Sequence, residues 1–279
     1  MEEYKTIEYS ANIGKDQMAI LREESKRVQF SSDLPFLRVH NGWRKGKLHL
    51  ILGTSHGGKS TNLRTCIVDA LSSNGGSLNI GLILSEESRL EFLTEFDRDG
   101  KLDSLMDRLF IASEDDFKDK FDTPKKWFTE AKFLCVENEI DILFFDNLTT
   151  ADMYEAQTNQ QQKQVSSGLK RMAKILDIPI IVIAHTDAGV TENHDKLISM
   201  NNIRYSKNIV NISQFFYIMQ TFYQGAHQFT TLRIVKHRGQ DVQYKFFQLI
   251  YSESLRMYKD SQIIDFSKVK ELFKDRNKL

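Results

Sequence analysis

Gly53-Thr54-Ser55-His56-Gly57-Gly58-Lys59-Ser60 decides how the rest of this chain is read. The eight residues have the form G-x-x-x-x-G-K-[ST], in which a glycine-rich turn wraps backbone N–H groups around phosphate oxygens. The flanking residues fit the motif. An apolar run, Leu48-His49-Leu50-Ile51-Leu52, precedes it and predicts a strand, and a helical pattern follows from Thr61 to Ala70. Strand, glycine turn and helix N-terminus together make an anion site, because the first amides of a helix have no partner within it. The expected nucleotide-binding residues are therefore Gly53, Thr54, Ser55, His56, Gly57, Gly58, Lys59, Ser60 and Thr61. Lys59 would reach the β- and γ-phosphates, and the Ser60 hydroxyl would hold Mg2+.

Outward from the loop, strands are expected at 47–53, 79–85, 108–112, 141–146 and 178–184, with helices at 59–73, 88–98, 124–138 and 160–176. Short β-rich runs alternating with helical periods predict a parallel sheet with crossover helices. From Ile212 the pattern turns to strand after strand, at 213–220, 229–236, 244–250 and 255–259. An antiparallel extension on the sheet edge accommodates them. The expected fold class is thus α/β, a mostly parallel twisted sheet with flanking helices and an antiparallel C-terminal extension. Upstream, Lys15 to Gln29 carries Met18, Leu21 and Val28 among charges, the pattern of a short amphipathic helix, and Ser31-Ser32-Asp33 breaks it. The expected organisation is an arm or linker helix over 1–33, a core over 34–260 and a Lys-rich tail over 261–279. Two polar segments, 147–162 and 186–203, leave the carboxyl ends of neighbouring expected strands, where ligands bind in open α/β sheets. Their length points to functional loops rather than surface padding.

Composition bounds the reading without choosing a partner. Thirty-eight basic and thirty-eight acidic residues cancel, so no global positive field argues for nucleic acid. Ile178 to Ala184, the longest apolar stretch, is far too short to span a bilayer, so no membrane is expected. Met1-Glu2-Glu3-Tyr4 lacks an apolar leader, and Cys66 and Cys135 read as two reduced thiols rather than a disulfide. A cytoplasmic protein is the expectation.

Hydrolysis at a phosphate loop needs a metal anchor, a carboxylate that orients water and a cation for the developing charge. Ile142-Leu143-Phe144-Phe145-Asp146 is a buried strand that presents Asp146 at its C-terminal end, as a Mg2+ ligand beside Ser60 or as a cap of the following turn. Leu82-Ile83-Leu84-Ser85 ends in Glu86-Glu87; Glu86 is the candidate base, and the other role for the pair is capping the next helix. Ile180-Ile181-Val182-Ile183-Ala184 ends in His185, a γ-phosphate sensor or a hydrogen-bonded structural histidine. Lys236-His237-Arg238 closes another expected strand. Its two cations, two residues apart, would project to one side and reach a phosphate outside their own site, or lie solvated at a hairpin end. Glu86, Lys59, Asp146, His185, Arg238 and Lys236 make up the candidate catalytic set.

Together these residues resemble the RecA-like hexameric ATPases, most closely the DnaB-type and RepA-type replicative helicases and more distantly the KaiC-like ATPases. Asn41-Gly42-Trp43-Arg44-Lys45-Gly46-Lys47 is similar to the family's lead into its first strand, and Leu84-Ser85-Glu86-Glu87-Ser88 to the segment with its catalytic glutamate. Gly168 to His185 resembles the helix and strand ending in its sensor residue, Arg204-Tyr205-Ser206-Lys207 its R-x-S-x segment, and Lys236-His237-Arg238 its K-x-R pair. The resemblance covers roughly residues 34 to 260. It implies a homo-hexameric ring with ATP and Mg2+ at subunit interfaces, Lys236 and Arg238 acting in the neighbouring site, and central loops gripping single-stranded DNA. The implied activity is an ATP-driven DNA helicase of replication. A RecA-like recombination or annealing ATPase and a KaiC-like regulatory ATPase that does not act on DNA are the alternatives. The candidate DNA loops are poor in cations, since 147–162 has no Lys or Arg and 186–203 has only Lys196.

Overall fold

The computed structural model of the chain describes residues 29–54, 57–96, 103–114, 123–155, 157–187, 197–204, 207–224, 227–237 and 245–265, together with 267 and 269. Gln29–Phe30 (β1) pairs antiparallel with Trp43–Arg44 (β2), with the short helix Pro35–Arg38 (α1) between them. The α/β alternation comes next: Leu48–Gly53 (β3), Lys59–Ser73 (α2), Ile80–Leu84 (β4), Arg89–Phe96 (α3), Asp103–Met106 (α4), Leu109–Ser113 (β5), Pro124–Glu137 (α5), Ile142–Asp146 (β6), Asn159–Leu176 (α6) and Ile180–His185 (β7). A 3-10 turn at Met200–Asn202 and the helix Asn208–Ile212 (α7) lead into Phe215–Gln224 (β8), His227–His237 (β9), Phe246–Ser252 (β10) and Met257–Ile264 (β11).

Among the described residues, nine strands form one sheet in the order β11-β10-β9-β8-β3-β7-β6-β4-β5. The six from β5 to β8 run parallel, and β9, β10 and β11 extend the β8 edge antiparallel. The mostly parallel sheet with an antiparallel extension expected from the strand–helix alternation is the one observed, and it is the RecA-like architecture that the resemblance implies. Strand periodicity divides the core between the two faces of the sheet. Ile51 packs with Leu63, Ile67 and Leu71 of α2, while Leu48, Leu50 and Leu52 face Trp127 of α5 and Leu169 of α6. Each such fully buried aliphatic contributes roughly 1.5–3 kcal/mol. Cys66 lies in the α2 layer and Cys135 in the α5 layer, both free and buried, with the sheet between them.

The departures from expectation are local and have visible causes. Strand β7 starts at Ile180, not 178, because Pro179 has no N–H to give the ladder; its carbonyl still accepts from Leu143. Strand β8 starts at Phe215. The two residues expected to open it are joined to β3 through Gln214, whose Oε1 accepts from Leu48 N at 2.8 Å. It then runs past 220 to Gln224 because β9 continues the ladder through Thr221 and Thr230, a polar pair no hydrophobic pattern signals. Gln29, expected in a helix, begins β1, and the rest of that amphipathic segment lies outside the described residues. Ser32 Oγ donates to Asp69 Oδ2 at 2.6 Å and Asp33 N to Asp69 Oδ1 at 2.8 Å, so this entry segment is stitched to α2.

At the end of the sheet remote from the phosphate loop lies a buried polar nest. His49, Phe215 and His237 are register neighbours across β3, β8 and β9. The His49 ring stacks on Phe215 at 4.3 Å, and His237 sits 5.1 Å from His40. Donors and acceptors run in one direction: Arg44 N–H to His49 Nε2 (3.4 Å), His49 Nδ1–H to the Tyr217 oxygen (3.4 Å), Tyr217 O–H to His40 Nε2 (2.7 Å), and His40 Nδ1–H to Gly42 O (3.1 Å). Both imidazoles are neutral in this chain, since an added proton would set donor against donor. Burial accordingly holds His40 down at about 3, with His237 adding repulsion, and holds His49 well below the ordinary value.

Candidate active site

The phosphate loop joins β3 to α2 as its sequence requires. Gly58 has φ +81°, the left-handed region open to glycine, and a Cβ there would meet the Tyr258 hydroxyl. A Cβ on Gly53 would lie 2.9 Å from Lys59 Cγ, so that glycine makes room for the lysine. Gly57 N donates to Thr54 O at 3.0 Å and closes the turn. Lys59, only 6% exposed, donates from Nζ to Thr54 O at 2.6 Å. Ser60 and Thr61 occupy the first turn of α2, half-buried, with no side chain capping the helix. Ser55 and His56 lie outside the described residues.

Three neighbouring strands bring the other candidates to the same end of the sheet. Gly53 pairs with His185, and Leu84 with Asp146. Asp146 is almost fully buried. Burial and the Glu86 carboxylate push it up to about 7, against the opposing pull of Lys59. Burial lowers Lys59 to about 8, while Asp146 and Glu86 favour its charged form. Two carboxylates thus face one ammonium. The Ser60 hydroxyl and the Asp146 carboxylate are the hard oxygen donors that Mg2+ takes alongside phosphate oxygens, and a divalent cation would offset the surplus negative charge. The donor set fits Mg2+.

Glu86 accepts from His185 Nε2 at 2.7 Å. That hydrogen bond, more than any other influence, holds its carboxyl below the usual range, with burial acting in the opposite direction. Because Glu86 is ionised, the Nε2 atom must carry the proton of this contact. Burial raises the Glu87 carboxyl, with the positive charge of Arg64 acting in the opposite direction. Asn147, absent from the expected set, completes the cluster: it is fully buried, and its Nδ2 lies 2.8 Å from His185 Nε2. Its signal in the sequence was Asn147 with Thr149-Thr150 two residues on, the pattern in which an Asn side chain accepts from amides two and three residues ahead.

The two expected loops differ from one another. The first half of the first is loop packed into the core. Leu148, Ala151, Met153 and Tyr154 are fully buried, and the glutamine-rich run is the first turn of α6, opened by a capping box between Thr158 and Gln161. The second has both described ends pinned beside His185: Thr186 bridges Ile203, and Arg204 N donates to His185 O at 3.0 Å. Residues 188–196 lie outside the described residues. Ile198 N donates to Gln220 Oε1 at 3.0 Å, and the Arg233 guanidinium donates to Ile198 O.

Lys236 is not part of this cluster. It pairs with Phe216, three residues along β8 from Met219, the partner of Gly53, which places it roughly 10 Å down the sheet from its own phosphate loop. Its ammonium donates to Val210 O (2.8 Å) and Asn211 O (2.9 Å) at the end of α7, where helix carbonyls favour a cation. Arg238 lies outside the described residues. An apolar groove of about 680 Å³ between α5 and α6, lined by Phe128, Phe133, Val136 and Ile175, is separate from all of these residues.

No match was found among curated proteins. The family model described as DnaB-like helicase C terminal domain matches residues 108–260, more than half of the chain. That span takes in Asp146, Asn147, His185, Lys236 and Arg238, and it begins beyond the phosphate loop and Glu86. With a RecA-like sheet, a phosphate loop at its first parallel strand and a family match over most of the chain beyond that loop, the chain belongs to the DnaB-like helicase C-terminal domain family.

Proposed function

We propose that the chain is an ATP-hydrolysing, ring-forming DNA motor that translocates on single-stranded DNA, a helicase of the replicative type. The observation that carries this reading is the convergence of Lys59, Asp146, Glu86 and His185 at one end of the sheet. Lys59 and the open N-terminus of α2 bind the polyphosphate. Ser60 and Asp146 would hold Mg2+, which neutralises charge on the β- and γ-oxygens when bound. Glu86, kept ionised by His185, accepts the proton of the attacking water. His185 turns its N–H to the γ-phosphate, and the second loop, pinned to the same strand end, takes that change to the DNA.

Lys236, lying toward the far end of the sheet, supports a role for the Lys236–Arg238 segment in a neighbouring subunit's site, which makes turnover depend on a homo-oligomer of about six chains. Among the described residues no helix is long and apolar enough to cross a membrane, and a cytoplasmic setting is part of the proposal. A regulatory ATPase that does not act on DNA is the second reading. It is favoured by the burial of the first loop and by Lys196 as the sole cation of the second, because Lys and Arg supply most non-specific DNA affinity.

Steady-state ATP hydrolysis with and without single-stranded DNA, beside a Lys59→Ala control, separates the two. Strong stimulation supports the motor. Hydrolysis indifferent to DNA, abolished in the control, overturns the motor in favour of the regulatory ATPase.

A further inference from the structure

We propose that Asn147 is the positioning residue that keeps the Glu86 carboxylate aimed at the attacking water when His185 turns to the γ-phosphate. The inference rests on the hydrolytic reading of this site and adds a residue and a division of labour to it.

The carboxamide has one possible orientation. Asn147 Oδ1 lies within reach of four donors: Thr149 N (2.9 Å), Thr149 Oγ1 (2.7 Å), Thr150 N (3.1 Å) and Thr150 Oγ1 (3.1 Å). The oxygen is therefore turned into the Thr149-Thr150 turn, and Nδ2, with its two protons, is turned to the opposite side. The backbone is fixed as well: Asn147 N donates to Ser85 Oγ at 3.0 Å, and Asn147 O accepts from it at 2.7 Å. Ser85 immediately precedes Glu86, so one side chain sets the spacing between β4 and β6 just where the glutamate leaves the sheet.

On the free side, Nδ2 faces His185 Nε2 at 2.8 Å, one atom away from the Glu86 Oε1 that the histidine touches, and the amide helps to lower the Glu86 carboxyl. His185 Nε2 has one proton, and Glu86 Oε1 takes it at 2.7 Å. With Nε2 protonated the amide finds no acceptor there, which leaves its proton free for the neighbouring Glu86 carboxylate. Glu86 thus has two donors of different kinds. The histidine is exchangeable, because a phosphate oxygen competes for the same N–H. The amide is locked from behind by two threonines. When nucleotide draws His185 away, Asn147 is the donor that remains, and the base keeps its direction while the sensor moves.

An amide buried only for packing would leave stability sensitive to substitution and turnover insensitive. Two variants of the full chain separate the cases. Asn147→Asp keeps an acceptor for the threonines and removes the donor to Glu86. Thr150→Val leaves the charge unchanged, keeps the Thr149 hydroxyl that accepts from His185 N, and loosens the amide. The readouts are single-turnover ATP hydrolysis, affinity for a fluorescent non-hydrolysable ATP analogue, and the thermal midpoint. The expected result is a fall in the hydrolysis rate of roughly 10- to 100-fold for Asn147→Asp, whose midpoint also falls because it buries another carboxylate beside Asp146 and Glu86, and a smaller fall for Thr150→Val with analogue affinity and midpoint close to wild type. In a His185→Ala background Asn147→Asp should cost more than it does alone, since the amide is then the one remaining donor. Wild-type rates in both variants, losses that track analogue affinity, or a loss in Thr150→Val that tracks unfolding overturn the proposal and leave the function reading intact. A wild-type chain that binds nucleotide without hydrolysing it overturns both.

Discussion

Replacing His49 by phenylalanine should remove about 2 kcal/mol of acid sensitivity from the fold. His49 is fully buried, its ring stacks on Phe215 at 4.3 Å, and its two hydrogen bonds are long, 3.4 Å each. A phenyl ring keeps the stack and gives up little else. The imidazole matters on acidification. Burial, with His40 and Arg44 nearby, holds it far below the ordinary 6.5. Once the pH drops under 6.5 the unfolded chain takes a proton that the folded chain refuses, so stability is complete above that value and is lost progressively below it. Between about pH 7.5 and about pH 5 the loss is RT ln(1 + 10^1.5), roughly 2 kcal/mol for this one group. Urea unfolding of wild type and His49→Phe at both pH values measures it. The difference between the two proteins cancels the titrations remote from this nest, including Asp146, whose raised carboxyl acts in the opposite sense. Equal acid sensitivity in the two proteins would refute the argument, because a histidine that protonates freely in place is not buried in a one-way hydrogen-bond chain.

Three further outcomes are expected at the site. Asp146→Asn should abolish ATP turnover while making the Mg2+-free fold more stable near pH 7.5, on the order of 1 kcal/mol or more, since the wild-type carboxyl is raised to about 7 and, from the usual carboxylate range up to that pH, the unfolded chain has released a proton that the folded chain keeps, a loss of stability that is complete by pH 7.5; a less stable variant in urea unfolding contradicts this. Gly58→Ala should lower the thermal midpoint by several degrees and impair nucleotide binding in a fluorescence titration, because φ +81° is strained for alanine and its Cβ meets Tyr258. Arg238→Ala should retain nucleotide affinity, lose roughly 10³-fold or more in turnover, and regain turnover when mixed with Asp146→Asn chains, whose intact Arg238 can serve its neighbours. Mixed rings that stay inactive sink the role in trans.

Elements were legible wherever the local pattern and the tertiary environment demand the same thing. Ile142 to Asp146 and Ile180 to His185 are apolar throughout because both faces of a central parallel strand are covered, so their pattern needs no partner to be recognised. Strand β8 beyond 220 and the segment 147–162 were read less well. Thr221 is polar yet buried against Thr230, and Leu148 to Tyr154 has no helical or strand period yet fills the core. In both cases burial comes from a partner distant in sequence, which no local pattern records.

The same division runs through the chemistry. The order of residues alone determined that a glycine turn lies between a strand and a helix N-terminus, and that Glu86, Asp146 and His185 each close an apolar run. Such runs become parallel strands, and parallel strands deliver their last residues to one end of the sheet, so the chain direction itself carried that information. Only the tertiary structure decided which of those residues touch. Glu86 rather than Glu87 meets His185, Asn147 enters as a donor, and Lys236 is turned away from its own phosphate loop onto the carbonyls of α7. Those choices depend on the register between β4, β6 and β7 and on the antiparallel return of β9, contacts fixed by packing across the sheet rather than by any neighbour in sequence.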